Sequence, residues 1–356
     1  MVAPEMETQP KTSRDMKKVA VVILNYNGAR FLEQFLPTVL AHCDSDLAEV
    51  VVADNASTDD SVALMRDRFP DVRLIENGSN GGFSTGYNLA LRQIEARYYV
   101  LLNSDIEVTE GWIEPVIAMM DADPRIAACQ PKILSYYHPE QFEYAGACGG
   151  FIDKYGYPFC RGRVFQHLEN DEGQYDAPME VFWATGACMF VRADLYHQIG
   201  GLDDSFFAHM EEIDLCWRLK NAGYKVCCCP QSKVYHIGGG TLPKNSPRKT
   251  YLNFRNNLSV LAKNLPDKSV KRVIVYRVFL DWVAALKFLF EGGFKDFRMV
   301  FKAHRDFYRR LKSLREKRSE AKREAVSCVY RRNIVFDSML LGKNRFDELN
   351  PGSFSS

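Results

Sequence analysis

Residues 98–105 read Tyr98-Tyr99-Val100-Leu101-Leu102-Asn103-Ser104-Asp105, a β-rich apolar run that stops in a polar triplet ending on a carboxylate. An unbroken apolar run of this kind is the signature of a strand buried on both faces of a parallel sheet. Its polar end then falls at the carboxyl edge, where open α/β proteins bind ligands. Toward the amino end, Val19 to Leu24 is a second such run, stopped by Asn25-Tyr26-Asn27-Gly28. Glu49 to Ala53 is a third, stopped by Asp54-Asn55, and Val72 to Ile75 a fourth, followed by Asn77-Gly78-Ser79-Asn80-Gly81-Gly82. Between them Phe31, Leu32, Phe35, Leu36 and Val39 recur at helical spacing; Val62, Leu64 and Met65 follow a Ser57 or Asp59 cap, and Leu89 to Ile94 is helical. Strands alternating with helices predict an α/β fold with a mostly parallel central sheet covered on both faces. Each strand end offers an Asn or Asp to a shared cleft.

The middle of the chain is less regular. Ile126 to Cys129 and Val181 to Val191 read as strands, Gly149 to Gly173 as a long loop, Ile213 to Ala222 as a helix stopped by Gly223, and Lys225 to Cys229 as a strand. From about residue 250 the pattern is helical to the end. Phe279, Trp282, Val283, Leu286, Leu289 and Phe290 form an apolar stripe at helical spacing, yet Arg277, Asp281 and Lys287 make Val273 to Phe290 too charged for an ordinary membrane span. Two readings follow: an amphipathic helix lying on an anionic membrane surface, or a lid packed on the sheet or on a second subunit. The stretch Glu291 to Arg332 holds 14 Lys/Arg against 6 Asp/Glu, a local excess of +8, although the whole chain carries only +1 and shows no bulk attraction to nucleic acid. The 356 residues suffice for one main domain with an appendage. The ten cysteines sit mostly in apolar strand-like settings and have no zinc-site spacing, so they read as reduced core thiols of a cytoplasmic protein. Residues 1–17 read as a disordered tail.

Three constellations carry chemistry. Asn103-Ser104-Asp105 offers a strand-end carboxylate to a hard divalent cation, which needs oxygen ligands and keeps positions for substrate phosphate. Glu211-Glu212-Ile213-Asp214 opens a helix, where acidic residues also suit the dipole; Phe206, Phe207, Met210 and Trp217 around them predict burial, a raised carboxylate pKa and a usable general base. His236 follows a strand and precedes Gly238-Gly239-Gly240, which permits close approach of backbone to a ligand. Asp54, directly after a strand, is placed to accept from a base ring N–H. No dinucleotide fingerprint or phosphate loop occurs in the chain. One carboxylate for a metal, another for proton transfer and an imidazole for the metal shell suit transfer of a group from a diphosphate leaving group.

Taken together these segments resemble the family 2 glycosyltransferases of the GT-A fold, in particular the rhamnosyltransferase-like branch that builds bacterial surface polysaccharides. The matching segments are Val21 to Gly28, Val52 to Asp59, Asn80-Gly81-Gly82-Phe83 with Gly86 and Asn88, and Leu102 to Asp105. Thr185-Gly186-Ala187, Gly200-Gly201-Leu202-Asp203, Glu211 to Arg218 and His236 complete the set, in unbroken order over about 18–262. The resemblance implies a glycosyltransferase domain over 18–262 and a helical extension over 263–356. It implies that Asn25 and Asp54 hold the nucleoside, that Asn80 and Asn88 line the donor pocket beside Asn103, and that Asp105 and His236 hold Mg2+ or Mn2+. The family's Glu-Asp motif falls on Glu211 and Glu212, with Glu in the Asp place, so either is the base. Arg255 and Asn256 resemble a pair near the donor phosphates. Implied partners are a nucleotide-diphospho-sugar donor (dTDP-rhamnose or a UDP-hexose) and a glycan acceptor, free or lipid-linked; the basic, Trp-bearing helical tail suggests a lipid carrier at the inner face of the cell membrane. A sugar nucleotidyltransferase and a catalytically silent glycan-binding module are the alternatives. The first would want a basic Gly-rich loop where Asn25 to Gly28 stands, and the retained acidic pair counts against the second.

Overall fold

The computed structural model describes residues 17–238, 246–318 and 325–356. The tail expected over 1–17 lies outside them except for Lys17, as do Gly239 and Gly240. In chain order the elements are β1 (Val19–Asn25), α1 (Ala29–Ala41), β2 (Ala48–Asp54), α2 (Ser61–Arg68), β3 (Arg73–Glu76), α3 (Gly82–Leu91), β4 (Tyr98–Asn103), β5 (Ile106–Val108), α4 (Glu114–Ala122) and β6 (Ile126–Ser135). There follow β7 (Gly150–Asp153), β8 (Pro158–Cys160), β9 (Arg163–Val164), β10 (His167–Leu168), β11 (Met179–Val181), β12 (Cys188–Arg192), α5 (Ala193–Gln198), α6 (Glu211–Asn221) and β13 (Lys225–His236). The chain closes with α7 (Pro247–Asn264), α8 (Asp267–Phe290), α9 (Phe294–Arg318), β14 (Val329–Tyr330) and α10 (Ile334–Met339).

The main sheet runs β11-β13-β6-β12-β4-β1-β2-β3, with β5 on the end of β13. Strands β4, β1, β2 and β3 are parallel neighbours, as are β6 and β13, and β12 lies antiparallel between the two sets. Burial on both faces explains the unbroken apolar runs: Val19 to Val22, Val51 to Ala53 and Tyr98 to Leu102 are all buried. The same topology brings distant motifs to one edge. Asn25 is opposite Asp54, and Leu24 opposite Asn103, at the carboxyl ends of β1, β2 and β4. Because β12 runs the other way, its start, behind Thr185-Gly186-Ala187, meets the end of β4. His236 ends β13 beside Ser135 at the end of β6. Helix α6 runs back to the start of β13, so its first residues, Glu211 and Glu212, lie toward that same edge.

Three departures from the sequence reading have physical causes. The loop expected over 149–173 is a second sheet, β10-β9-β8-β7-β14, whose strands of two to four residues are too short to show a period. The chain is not helical to its end. Beyond residue 325 it returns as a strap: β14 pairs in parallel with β7, while Phe346 and Phe354 pack on Phe151 with ring centroids at 4.8 and 5.3 Å. Helix α7 passes through the junction expected at 262/263 and carries Lys263 and Asn264 onto α6.

Helix α8 is turned the other way from a lid. Its buried positions are Val273, Arg277, Asp281 and Ala285, one turn apart. Arg277 donates to Asp281 at 2.7 Å, to Asn257 at 2.6 Å and to the Tyr155 carbonyl, and His304 of α9 stands 3.1 Å from Asp281. The apolar stripe faces outward, with Phe279 60% and Phe290 87% exposed. Of the charges that argued against a membrane span, Arg277 and Asp281 hold the helix down, while Lys287 is exposed. Among the described residues no helix is long and apolar enough to cross a membrane.

Candidate active site

Most of the motif residues are tied to one another. Asn25 is fully buried and donates to Asp54 at 3.1 Å and to Ser57 at 3.2 Å; Asp54 in turn accepts from the Ser57 N–H at 2.8 Å. The β1 and β2 ends are thereby fastened into one rim. Asn55 donates to Asn80 at 3.2 Å and to the Gly82 carbonyl, and Asn80 accepts from the Gly82 N–H at 2.9 Å, which leaves the Asn80 side chain at the exposed mouth of the edge. Gly82 has φ +81°, and a Cβ there would sit 2.3 Å from the Phe207 carbonyl oxygen, so only glycine allows this approach. Asn88 is set apart from this rim: its amide bonds the Leu202 carbonyl at 2.7 Å, Asp204 at 2.8 Å, the Tyr196 hydroxyl at 2.6 Å and the Leu202 N–H at 3.1 Å. Its whole hydrogen-bonding capacity braces the 196–204 turn.

Asp105, in the turn from β4 to β5, and His236, at the end of β13, are both buried, with Oδ1 and Nε2 3.1 Å apart. Asn103 reaches the same ring nitrogen at 3.5 Å. Behind the ring Glu143 places Oε2 3.2 Å from Nδ1, close enough to pair but off the line of the N–H. Burial works against the charge on Asp105, but the hydrogen bond and charge of His236 outweigh it and hold the carboxyl below its usual range. Burial also opposes the imidazolium, yet Glu143 and then Asp105 push His236 up to about 10. A carboxylate oxygen and an imidazole nitrogen meeting at one point, with a second carboxylate orienting the ring, is a donor set that fits a divalent cation. Among the described residues no three His, Cys, Asp or Glu side chains group as a metal site. Glu143 was not legible beforehand. It lies in a stretch with no motif, and only the fold brings it behind His236.

The start of α6 behaves differently. Phe207, His209 and Met210 directly before it have φ of 69°, 67° and 75°, a left-handed run without a glycine. Arg255 and Asn256 hold that run in place: Arg255 donates to the Ser205 and Phe206 carbonyls and Asn256 to those of Phe206, Ala208 and His209. Arg255 is therefore spent largely on the loop. One carboxylate oxygen each of Glu211 and Glu212, and Nε2 of His209, are buried with no hydrogen-bond partner. Burial, and then the charge of Glu212, raise Glu211 well above the carboxylate range. Burial raises Glu212 to about 7, with the first backbone N–H groups of the helix pulling the other way. Asp214 is not part of this: Lys263 at 2.8 Å, Arg218 at 2.8 Å and Asn264 at 2.8 Å neutralise it. Burial pushes up the Cys160 thiol, Arg163 pulls it back, and Glu143 and Glu212 both add to the rise.

The family model for Glycosyl transferase family 2 matches residues 20–200. The N-acetylglucosaminyl-diphospho-decaprenol L-rhamnosyltransferase of Mycobacterium tuberculosis is 26% identical over 230 residues, 61% of this chain and 75% of that protein. Among solved structures, S. aureus TarS 1-349 in complex with UDP-GlcNAc superposes with a TM-score of 0.55 at 14% identity, over 85% of this chain and 88% of that one. GalNAc-T7 with UDP, GalNAc and Mn2+ gives 0.55 at 15% identity, over 72% of this chain and 49% of that one, so this chain spans about half its length. At such identities these likenesses show the fold, which is GT-A.

Proposed function

This chain belongs to glycosyl transferase family 2 and is a glycosyltransferase, and we propose that it carries out a metal-dependent, inverting transfer from a nucleotide-diphosphate sugar to a hydroxyl of a lipid-linked glycan. The observation that carries this reading is the pairing of two unlike acidic sites at one sheet edge. One is an ionised Asp105 with His236, the other a buried couple at the head of α6 with one oxygen of each carboxyl unpartnered. Asn25 and Asp54 form the rim for the nucleoside, with Asn80 at its mouth and Asn103 beside the diphosphate. Asp105 and His236 hold the cation, and the imidazole among the ligands favours Mn2+ over Mg2+. When bound, that ion supplies Lewis-acid neutralisation of the departing diphosphate.

Of the acidic couple, Glu212 is the base. Glu211 is held neutral by its depth and by its neighbour, whereas Glu212 titrates near the operating pH, where a general base is most effective. Glu212 takes the proton of the acceptor hydroxyl as its oxygen bonds to the anomeric carbon. The bond from that carbon to the β-phosphate oxygen breaks, the nucleoside diphosphate leaves with the electron pair, and the configuration inverts. The acceptor class follows the M. tuberculosis relative, whose name specifies a sugar diphospho-lipid acceptor. The reaction places the protein at the inner face of the cell membrane, with the outward stripe of α8 toward the lipid.

The test is a panel of dTDP- and UDP-sugars incubated with sugar-diphospho-polyprenol acceptors and read by mass spectrometry. The expected result is one donor giving a single added sugar, abolished by chelation and restored by Mn2+. Unimpaired transfer by Asp105→Ala or by Glu212→Gln overturns the assignment of roles.

A further inference from the structure

Beneath the 205–210 loop lies a cavity of about 430 Å³ between α7 and α9, lined by Phe207, Arg248, Tyr251, Arg255, Met299 and Lys302 among others. Its polar character is of one sign. Arg255 is 5% exposed, and Arg248 and Lys302 lie at the exposed rim. The rings are already used to carry cations: Arg248 lies 4.7 Å from the Phe207 centroid, and Lys302 and Arg255 lie 5.0 and 5.1 Å from that of Tyr251. Of the acids nearby, Asp306 is held by Tyr251 and Arg305, which line the hollows, and Asp296 by Thr250. A second cavity, of about 310 Å³, shares Met299 and Lys302 and continues past Arg298 and Arg305 to Phe301, which is 58% exposed. The first hollow begins at Phe207, four residues before Glu211, and the second lies next to it on the outer face of α9.

A pocket with one buried and two surface cations, next to an apolar, basic-edged hollow, matches an anionic head on a hydrophobic chain. We propose that this pocket is the acceptor subsite, in which Arg248 and Lys302, with the charge of Arg255 behind them, hold the phosphate-bearing head of a polyprenyl-type lipid whose chain leaves along the α9 face past Phe301. The inference rests on the proposed transfer reaction and names its acceptor class. The donor diphosphate is the other source of the same chemistry, and it belongs at the Asp105–His236 end of the edge.

Farnesyl diphosphate is a soluble probe for this subsite. Titrated calorimetrically into the full chain with divalent metal chelated, it binds about tenfold or more tighter than either inorganic pyrophosphate or farnesol. The double variant Arg248→Ala/Lys302→Ala, both sites being on the surface, weakens it by about tenfold or more, and Lys302→Arg restores most of the loss in the Arg248 background. Saturating UDP leaves the binding in place. Displacement by UDP, or unchanged affinity in the double variant, overturns the proposal. In transfer assays the double variant raises the acceptor KM by about tenfold while the donor KM moves by less than about twofold. An unchanged acceptor KM sinks the subsite and leaves the reaction standing. Charge-dependent farnesyl diphosphate binding without any transfer sinks the reaction and leaves the subsite standing.

Discussion

The Asn25–Asp54 rim and the head of α6 share one sheet edge and are built on opposite terms. At the rim, Asn25, Asp54, Ser57, Asn55 and Asn80 bond one another, and Asn88 gives every hydrogen bond it can make to the turn behind it. At the head of α6, two carboxylates and an imidazole are buried with open valences, behind three left-handed residues. The first region spends its polar groups on shape. The second keeps them unspent, at a cost in stability, and that is where chemistry is available.

Substitutions in the two regions should therefore move stability and activity in opposite senses. The largest effect is expected at Glu212→Gln: kcat falls by about 10²–10⁴-fold while donor affinity, measured by calorimetry, is retained. Next is Lys263→Met, which leaves Asp203 and Asp214 buried without their shared ammonium; thermal unfolding should show a loss of about 3–5 kcal/mol. Burial opposes ionisation of both carboxyls, but Lys263 outweighs it and holds both below the usual range. Their contribution is thus present above the unfolded pKa of about 4 and is lost as pH falls further, so the variant and the parent should converge in acid.

Asn88→Ala should cost about 2 kcal/mol by stranding the Leu202 backbone and the Tyr196 hydroxyl, and donor KM should change little. An Asn88→Ala variant that keeps its melting temperature but loses donor binding would erase the contrast between rim and head. The smallest effect is a gain. Glu212 keeps its proton to about pH 7 in the folded state and loses it near 4.5 when unfolded, so stability falls as pH rises between those values. Glu212→Gln should remove that penalty and unfold at a higher temperature than the parent above pH 7, by about 1–2 kcal/mol, with no difference below pH 4. In the parent the same titration should make kcat/KM drop about tenfold per pH unit below 7.

The parallel strands were legible because burial on both faces leaves an unbroken apolar run, and because Asn25, Asp54 and Asp105 punctuate three of them at the edge. The head of α6 was legible as an acidic cluster framed by Phe206, Phe207 and Trp217, but which glutamate acts was not, since that depends on backbone N–H groups and depth. The small sheet was hidden by the shortness of β7 to β10. Glu143 was hidden because its partner is 93 positions away, and a lone acid in an irregular stretch has no period. The rim assignment of Asn88 rested on resemblance, and the bonds it makes could not be read from spacing.

Helix α8 turns the Arg277–Asp281 pair inward and Phe279 and Phe290 outward. The ordinary rule of thumb for a surface helix is reversed at these positions. Replacing Phe279 or Phe290 by a polar residue should be harmless to folding and should curb self-association, whereas neutralising Arg277, a change normally regarded as mild, should unseat the helix. A hydropathy trace would identify the dispensable side of α8 as its core, and anyone trimming the protein for crystals should keep the charges and give up the aromatics.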